Sequence, residues 1–253
     1  MTGSATAAVV IVGSEVLSAK VQDENGPFLA RRLHELGVEL TVIHVVPDRT
    51  DAVVEALLSA RRRAGWVFTC GGVGPTHDDL TLPAVARALG VPLRRHPGME
   101  QVLRAMHARH HAGAALPHVA LRMADLPEGT QLLGDPEFPT LVVSRVVMLP
   151  GVPSFLRHQF ERVVHLLGGS PYHLVSLFFS WGEDQLAMPL AEVAEAHPDV
   201  EIGSYPRFDG ADHRVRVTVE GRDAAAVRTA SGAILSAVTP GALVRAEGIE
   251  RPA

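Results

Sequence analysis

A short apolar strand, a glycine-rich turn and a helix follow one another directly between residues 66 and 90. Trp66–Thr69 is an apolar, β-prone run, the next twelve residues read CGGVGPTHDDLT, and the helix that follows closes at Gly90. Open α/β sheets bind their ligands just beyond the carboxyl ends of their strands, which is where such a turn lies. The pattern therefore predicts an α/β fold with a ligand site at this turn.

The composition of this turn restricts the chemistry of the site. Gly71, Gly72 and Gly74 allow the backbone to approach an anion closely, with N–H groups free to point at it. Asp78 and Asp79 argue against a simple anion site, because a carboxylate beside a phosphate is unfavourable unless a cation bridges them or the carboxylate takes part in chemistry. The run indicates a phosphate site with a metal, or one with a catalytic acid; a solvated glycine-rich loop is the alternative.

Apolar strands alternate with amphipathic helices through the first 90 residues. The predicted strands before the turn are Ala7–Val12 and Val38–Val46, and the predicted helices are Asn25–Leu36 and Thr50–Arg63. This alternation predicts a three-layer αβα domain with a mostly parallel sheet and right-handed crossovers. Later predicted elements are a helix over 98–111, a strand over 129–133, one strand over Leu141–Leu149 interrupted by Arg145, and a helix over Ser154–Leu167.

The pattern changes after a linker at residues 168–171, which predicts two domains, residues 1–168 and 169–253. The second reads strand, helix, strand, strand, helix, which is typical of a small α+β domain and a partial ferredoxin-like unit. An exposed edge of its short sheet would offer a route to self-association by strand pairing.

Charge and cysteine content exclude several classes of protein. The net charge of −5 gives no general affinity for nucleic acids or anionic membranes. Cys70 is the only cysteine, so an intramolecular disulfide is excluded, and we expect a buried, inert thiol. The chain begins without the features of a secretory signal and has no apolar run near the roughly 20 residues of a membrane span, so we expect a cytoplasmic protein. His107, His110 and His111 have helical spacing, and we expect a solvated helix end there rather than a metal site.

Other predicted strands are also followed by polar or rigid residues. Gly13–Glu15 follows the first strand, Asp48 follows the second, and Pro150–Pro153 follows a later one. Each has a simple structural explanation, as a helix-start acid or a proline turn. Because parallel strands bring such ends to one edge of the sheet, we expect one pocket with backbone donors and carboxylates.

The turn resembles the glycine-rich signature of the molybdopterin-binding family, and its CinA-like branch in particular, which carries GGxGPTxDDLT. Four further segments over residues 7–165 are similar to that branch: Gly13–Leu17, the set Asp23, Asn25, Phe28 and Leu29, Val46–Asp48, and Leu149–Pro153. The chain also resembles the molybdopterin-binding domain of FAD synthase. It departs from the family at Ala19, where glycine is usual, and at residues 136–140, where many members carry a Gly-Thr-Ala-Pro-Gly-like stretch.

The resemblance implies a molybdopterin-binding fold and a small-molecule ligand, either a pterin or an adenine nucleotide. It implies metal-dependent hydrolysis of a pyrophosphate link, as in ADP-ribose or FAD, with Asp48 and Asp79 binding Mg²⁺ or Co²⁺ and with Glu15 or Asp78 positioning water. The ligand-binding residues that it implies are Gly13, Ser14, Gly71, Gly72, Val73, Gly74, Pro75, Thr76, Thr81, Pro150, Gly151 and Pro153.

Two other functions fit the same motifs. The first is adenylyl transfer to molybdopterin in molybdenum cofactor biosynthesis, and the second is a non-enzymatic, oligomeric nucleotide-binding module. The resemblance also implies a homo-oligomer, either a dimer or a trimer. From the net charge we expect no nucleic-acid or membrane partner.

Overall fold

The computed structural model describes residues 5–111, 115–208 and 212–248, with the side chain of His110 left out. The chain divides into two compact units, Met1–Ser170 and Pro171–Ala253. Within the described ranges no helix is both long enough and apolar enough to cross a membrane.

The first unit alternates strands with helices, as the hydrophobic pattern predicts. Its elements are β1 (Thr6–Val12), α1 (Ser14–Leu17), α2 (Asn25–Glu35), β2 (Glu39–Val46), α3 (Thr50–Arg63), β3 (Trp66–Cys70), α4 (Thr81–Leu89), β4 (Leu93–Arg95), α5 (Pro97–His110), β5 (Asp125–Pro127), β6 (Gln131–Leu133), β7 (Thr140–Val143), β8 (Val146–Leu149) and α6 (Pro153–Glu161). Two 3₁₀ segments, His118–Ala124 and Val164–Leu166, complete the list. β4 and β5 form a separate two-stranded antiparallel sheet.

The central sheet of this unit has the strand order β2-β1-β3-β8-β7-β6. The first four strands are parallel to one another, whereas β7 and β6 pair in antiparallel fashion. Alternate residues of β1 enter two separate hydrophobic cores, with Val10 in the core against α3, α4 and α5 and Val9 in the core against α2 and α6. Both faces of the sheet are therefore covered, and the predicted three-layer αβα fold is confirmed.

Helix α6 is held against the sheet by aromatic packing. Phe160 is fully buried and its ring centroid lies 5.4 Å from that of Phe68 on β3 and 5.9 Å from that of Phe28 on α2. Removing such a ring costs about 3–5 kcal/mol of stability. This packing joins the end of α6 to both β3 and α2.

The prediction of a single strand over residues 141–149 was wrong. β7 and β8 form an antiparallel hairpin, and the two residues between them, Ser144 and Arg145, have φ angles of 46° and 63°. Two-residue hairpin turns of this kind need positive φ at both positions and usually signal themselves by Asn-Gly or Asp-Gly. Ser-Arg carries no such signal, so the reversal of the chain was invisible in the sequence.

The second unit is a four-stranded antiparallel sheet with two helices on one face. Its elements are β9 (His173–Phe179), α7 (Glu183–Ala196), β10 (Glu201–Pro206), β11 (Val215–Gly221), α8 (Ala224–Ala237) and β12 (Leu243–Glu247). The strand order is β10-β11-β9-β12, so β12 completes the split β-α-β arrangement that the sequence predicted only in part. The core lies between the sheet and the inner faces of α7 and α8, with Leu186 and Ile234 fully buried.

Candidate functional site

The carboxyl ends of the parallel strands meet at one edge of the central sheet, and the predicted polar segments lie there. Two backbone hydrogen bonds join these ends, from the Gly13 N–H to the Val46 carbonyl and from the Gly71 N–H to the Leu149 carbonyl, both 3.0 Å long. The topology therefore brings together segments that are far apart in the chain.

A cleft of about 770 Å³ opens beyond this edge. Its polar end is lined by ten of the predicted site residues: Glu15, Asp48, Gly71, Gly72, Val73, Gly74, Asp78, Asp79, Pro150 and Gly151. Six other predicted residues do not line it: Gly13, Ser14, Pro75, Thr76, Thr81 and Pro153. Of these six, Ser14, Thr76 and Thr81 instead hydrogen-bond to residues of the lining.

Glycine is required at the first two positions of the turn. Gly71 has a φ of 94°, and a Cβ there would lie 2.5 Å from the Val12 carbonyl oxygen. Gly72 has a φ of 66°, and a Cβ there would lie 2.5 Å from the Thr81 hydroxyl oxygen. The buried Thr81 hydroxyl donates to the Gly71 carbonyl at 2.7 Å, and the Thr81 N–H donates to the Gly72 carbonyl at 2.9 Å. Thr81 thus fixes the conformation of the turn through two hydrogen bonds.

The carboxylate of Asp48, which follows β2, is hydrogen-bonded to the first residue of α1. One of its carboxylate oxygens, Oδ2, accepts a 2.7 Å hydrogen bond from the Ser14 N–H, and the Asp48 N–H donates to the Ser14 hydroxyl at 3.1 Å. The other oxygen, Oδ1, accepts no hydrogen bond from any part of the chain that the structure describes. Asp48 therefore presents one oxygen to the cleft in a fixed orientation.

Asp79 is fixed within its own turn in a similar way. Its Oδ2 accepts hydrogen bonds from the Thr76 N–H, at 2.7 Å, and from the Thr76 hydroxyl, while its Oδ1 has no partner among the described residues. Asp78 is exposed beside it. The turn therefore carries an ordered carboxylate next to an exposed one.

The donor set fits a hydrated divalent cation that also binds phosphate. Mg²⁺ is commonly bound through one or two carboxylates, with waters and substrate phosphates completing its shell, and Asp48 and Asp79 each offer one unpaired oxygen. Among the residues described, no group of three or more His, Cys, Asp or Glu side chains could hold a metal ion. Two unpaired carboxylate oxygens are thus the cation donors that Asp48 and Asp79 offer.

The other end of the cleft is apolar and was not predicted. Four of the six methionines in the chain line it, Met99, Met106, Met123 and Met148. Leu103, Leu116, Phe138 and Phe155 are among the other residues that complete this wall. Methionine side chains are flexible and polarizable and make favourable contacts with aromatic rings. These residues come from α5, α6, β8, a 3₁₀ segment and loops, and no single stretch of sequence displays them together.

The prediction of a solvated helix end at the histidine cluster was wrong for His107. His107 is half-buried in the wall of the cleft, and its Nε2 is shielded from solvent without a partner among the described residues. His111 is exposed and also lines the cleft, with its ring centroid 4.7 Å from that of His107. The side chain of His110 lies outside the described residues.

Cys70 is buried at the end of β3, as predicted. Burial raises the pKa of its thiol, so Cys70 stays protonated and unreactive at neutral pH. It is therefore not a nucleophile of this site.

Fold and site together define a three-layer α/β protein with an acidic, glycine-lined cleft at the carboxyl edge of its sheet. Residues 8–169 match the family model described as "Probable molybdopterin binding domain", and the chain belongs to this family. Residues 171–247 match a second model, "FAD synthase, middle domain". The family that the motifs suggested is thereby confirmed.

Individual relatives point to the same branch. A CinA-like protein of Frankia casuarinae is 34% identical over 90% of this chain and 59% of its own length. A protein of Caenorhabditis elegans named "Probable FAD synthase" is 30% identical over 85% of this chain and 46% of its own length, so the chain spans about half of these two relatives. The crystal structure of CinA from Thermoplasma acidophilum, a protein described as of unknown function, is 29% identical with a TM-score of 0.58, covering 65% of this chain and 98% of that one.

The two departures from the family pattern have structural counterparts. Ala19, which stands where the family usually has glycine, adopts a φ of 56°, a left-handed conformation that glycine accepts more readily. Within residues 136–140, Phe138 and Pro139 line the cleft, at the apolar wall. The second departure therefore lies in the lining of the cleft.

Proposed function

We propose that this chain binds a nucleotide or pterin phosphate in the cleft and hydrolyses a pyrophosphate link of the ADP-ribose or FAD type with a divalent cation. One observation carries the proposal. The polar end of the cleft combines the glycine-rich backbone with four carboxylates, Glu15, Asp48, Asp78 and Asp79, and no lysine or arginine lies among the described residues of its lining.

Charge balance explains why a cation is part of this proposal. A diphosphate placed beside four carboxylates is strongly repelled unless a positive charge lies between them. Asp48 and Asp79 would bind a divalent ion such as Mg²⁺ or Co²⁺ through their unpaired oxygens. When bound, such an ion neutralises charge that develops on the phosphate and lowers the pKa of a bound water.

The protein's own groups have distinct tasks in the proposed reaction. The N–H groups of Gly72, Val73 and Gly74 take part in no hydrogen bond within the described chain, so they are available to a phosphate oxygen. Asp78 is exposed and ionised, and it or Glu15 accepts the proton of the attacking water. The water oxygen forms a bond to phosphorus, the bridging P–O bond breaks, and two monophosphates leave.

The relatives support the choice of ligand. The match to the FAD synthase middle domain supports a flavin nucleotide, and the molybdopterin-binding family supports a pterin. Both ligands join a flat ring to phosphate, which agrees with a cleft that is apolar at one end and acidic at the other. Adenylyl transfer to a pterin would use the same site, because it breaks the same kind of bond in ATP.

The test is incubation of the protein with ADP-ribose, with FAD, and with ATP plus molybdopterin, each with Mg²⁺ or Co²⁺, followed by chromatography. We expect AMP from ADP-ribose or FAD. Asp79→Asn should lower kcat by about 100-fold or more, since metal-assisted charge stabilisation contributes several kcal/mol. Asp51→Asn is the matched control, because Asp51 is exposed, does not line the cleft and pairs with Arg87 at the surface.

Each other result selects a different function. Adenylylated pterin would identify the protein as a transferase of molybdenum cofactor biosynthesis. Ligand binding without turnover under any metal would leave the binding module and would rule out catalytic roles for Asp48 and Asp79. An Asp79→Asn variant as active as the wild type would refute the proposed metal site.

A further inference from the structure

A buried asparagine that does not line the cleft hydrogen-bonds to a residue that does. Asn25, at the beginning of α2, is the only asparagine in the chain and is 8% exposed. Its side-chain Nδ2 donates a 2.8 Å hydrogen bond to the carbonyl oxygen of Gly151, 126 residues away. Its Oδ1 is buried and has no partner among the described residues. Gly151 lines the cleft and Asn25 does not.

This hydrogen bond sets the direction of the next N–H group. The described peptide bonds are all trans, and in a planar trans peptide the C=O and the N–H point in opposite directions. The Gly151 carbonyl points at the buried Asn25, so the Val152 N–H in the same peptide points away from Asn25. Val152 is 51% exposed and lines the cleft, and its N–H makes no hydrogen bond within the described residues.

We propose that Asn25 is a positioning residue that turns the Gly151–Val152 peptide so that the Val152 N–H donates to a phosphate of the ligand. The inference depends on the proposed function only in placing a phosphate in this cleft. Asn25 itself does not touch the ligand and acts through the peptide that it holds.

The Val152 N–H matters because the described lining of the cleft contains no lysine or arginine. Backbone N–H groups, together with His107, His111 and Gln159, are therefore the donors that the described lining offers to a phosphate. A Cβ built on Gly151 would lie 3.4 Å from the Cα of Gly71, so the two turns are adjacent. The Val152 N–H therefore supplements the N–H groups of residues 72–74 from the neighbouring turn.

Asparagine suits this position better than residues of similar shape. The Gly151 carbonyl can only accept, so a donor must face it, and Nδ2 is that donor. Asn25→Leu removes the donor, and Asn25→Asp places an acceptor oxygen against the carbonyl. Either change leaves the Gly151–Val152 peptide free to rotate away from its orientation.

Val152→Pro tests the proposed donor directly. Val152 has a φ of −68°, which is the value that proline imposes, so the substitution deletes the N–H without changing φ. Val152→Ala, which removes the side chain but keeps the N–H, is the reference variant. Titration calorimetry with AMP in the presence of Mg²⁺ measures binding without any anhydride to hydrolyse. We expect Val152→Pro to bind AMP about 10- to 100-fold more weakly than Val152→Ala, the effect of one hydrogen bond to a charged group.

A double-mutant cycle tests the role of Asn25. Asn25→Leu should weaken AMP binding to a similar extent, and adding Asn25→Leu to Val152→Pro should cause little further loss, because both remove the same contact. Additive losses would overturn the positioning role. Circular dichroism and thermal unfolding of Asn25→Leu and Asn25→Asp establish that the variants are folded. Selective ¹⁵N labelling of asparagine gives one side-chain amide signal, and we expect its protons to exchange slowly with solvent.

The outcomes separate this inference from the proposed function. AMP binding that depends on Val152 and Asn25, without hydrolysis of ADP-ribose or FAD, would refute only the proposed activity. Hydrolysis with AMP affinities equal in Val152→Pro and Val152→Ala would refute only the inference about Asn25. A wild-type protein that binds no AMP at millimolar concentration would overturn the inference as well.

Discussion

Comparing Gly71→Ala with Gly90→Ala separates two costs of adding a Cβ at a position with positive φ: backbone strain and steric clash. Gly71 and Gly90 have similar left-handed φ angles, 94° and 70°. A Cβ on Gly71 would lie 2.5 Å from the Val12 carbonyl oxygen, whereas a Cβ on Gly90 would meet nothing within 4 Å. Gly90→Ala therefore reports conformational strain alone, and Gly71→Ala reports strain plus a clash with the backbone of β1.

The expected magnitudes follow from these contacts. A left-handed conformation costs an L-residue roughly 1–2 kcal/mol, which is our expectation for Gly90→Ala. Forcing an extra carbon into a packed interior adds about 1–3 kcal/mol. The contact partner at Gly71 is a backbone carbonyl within the central sheet, which cannot rotate away as a side chain would. Gly71→Ala should therefore cost about 2–5 kcal/mol.

Urea unfolding followed by tryptophan fluorescence measures this difference. The chain has two tryptophans, Trp66 on β3 in the first unit and Trp181 in the second, so a Trp181→Phe background makes the signal specific for the first unit. Both alanine variants and the parent are compared in that background. If Gly71→Ala and Gly90→Ala lose equal free energies of unfolding, the contact with the Val12 carbonyl contributes nothing and the reasoning is refuted.

Two further predictions concern backbone strain and acid stability. Ala19 has a φ of 56°, so Ala19→Gly should raise the free energy of unfolding by about 0.5–1 kcal/mol. This gain is the relief of backbone strain minus the cost of the greater entropy of glycine in the unfolded chain. A lower free energy of unfolding in urea titration would contradict this prediction. The backbone N–H of Glu137, and then His158, lower the pKa of Asp135. A carboxyl group whose pKa is lower in the folded state stabilises the protein at pH values above its unfolded pKa of about 4. This stabilisation is lost as the pH falls through the folded-state pKa. The melting temperature of Asp135→Asn should therefore depend less on pH below about pH 5 than that of the wild type.

Local pattern was sufficient to predict the layers of the first unit and the polar segments that meet at the carboxyl edge of its sheet. Continuous apolar strands such as β1, separated by amphipathic helices, can be buried only in a parallel sheet with both faces covered. The same pattern failed at Ser144 and Arg145, because a tight turn built from ordinary residues has no compositional signal. β12 was missed for a related reason, since it is short and only partly buried.

The sequence by itself determined the chemistry at the polar end of the cleft. Gly71–Gly74, Asp78 and Asp79 lie in the single run of residues 71–79, and their residue types are dictated by backbone conformation and charge, which are local properties. Tertiary structure alone decided what surrounds them. It brought the methionines of α5 and β8 to the opposite wall, buried one face of His107, and placed Asn25 behind Gly151, 126 residues away. Such contacts depend on how elements pack across the fold. They join residues that are far apart in the chain, so the local sequence around each residue does not predict them.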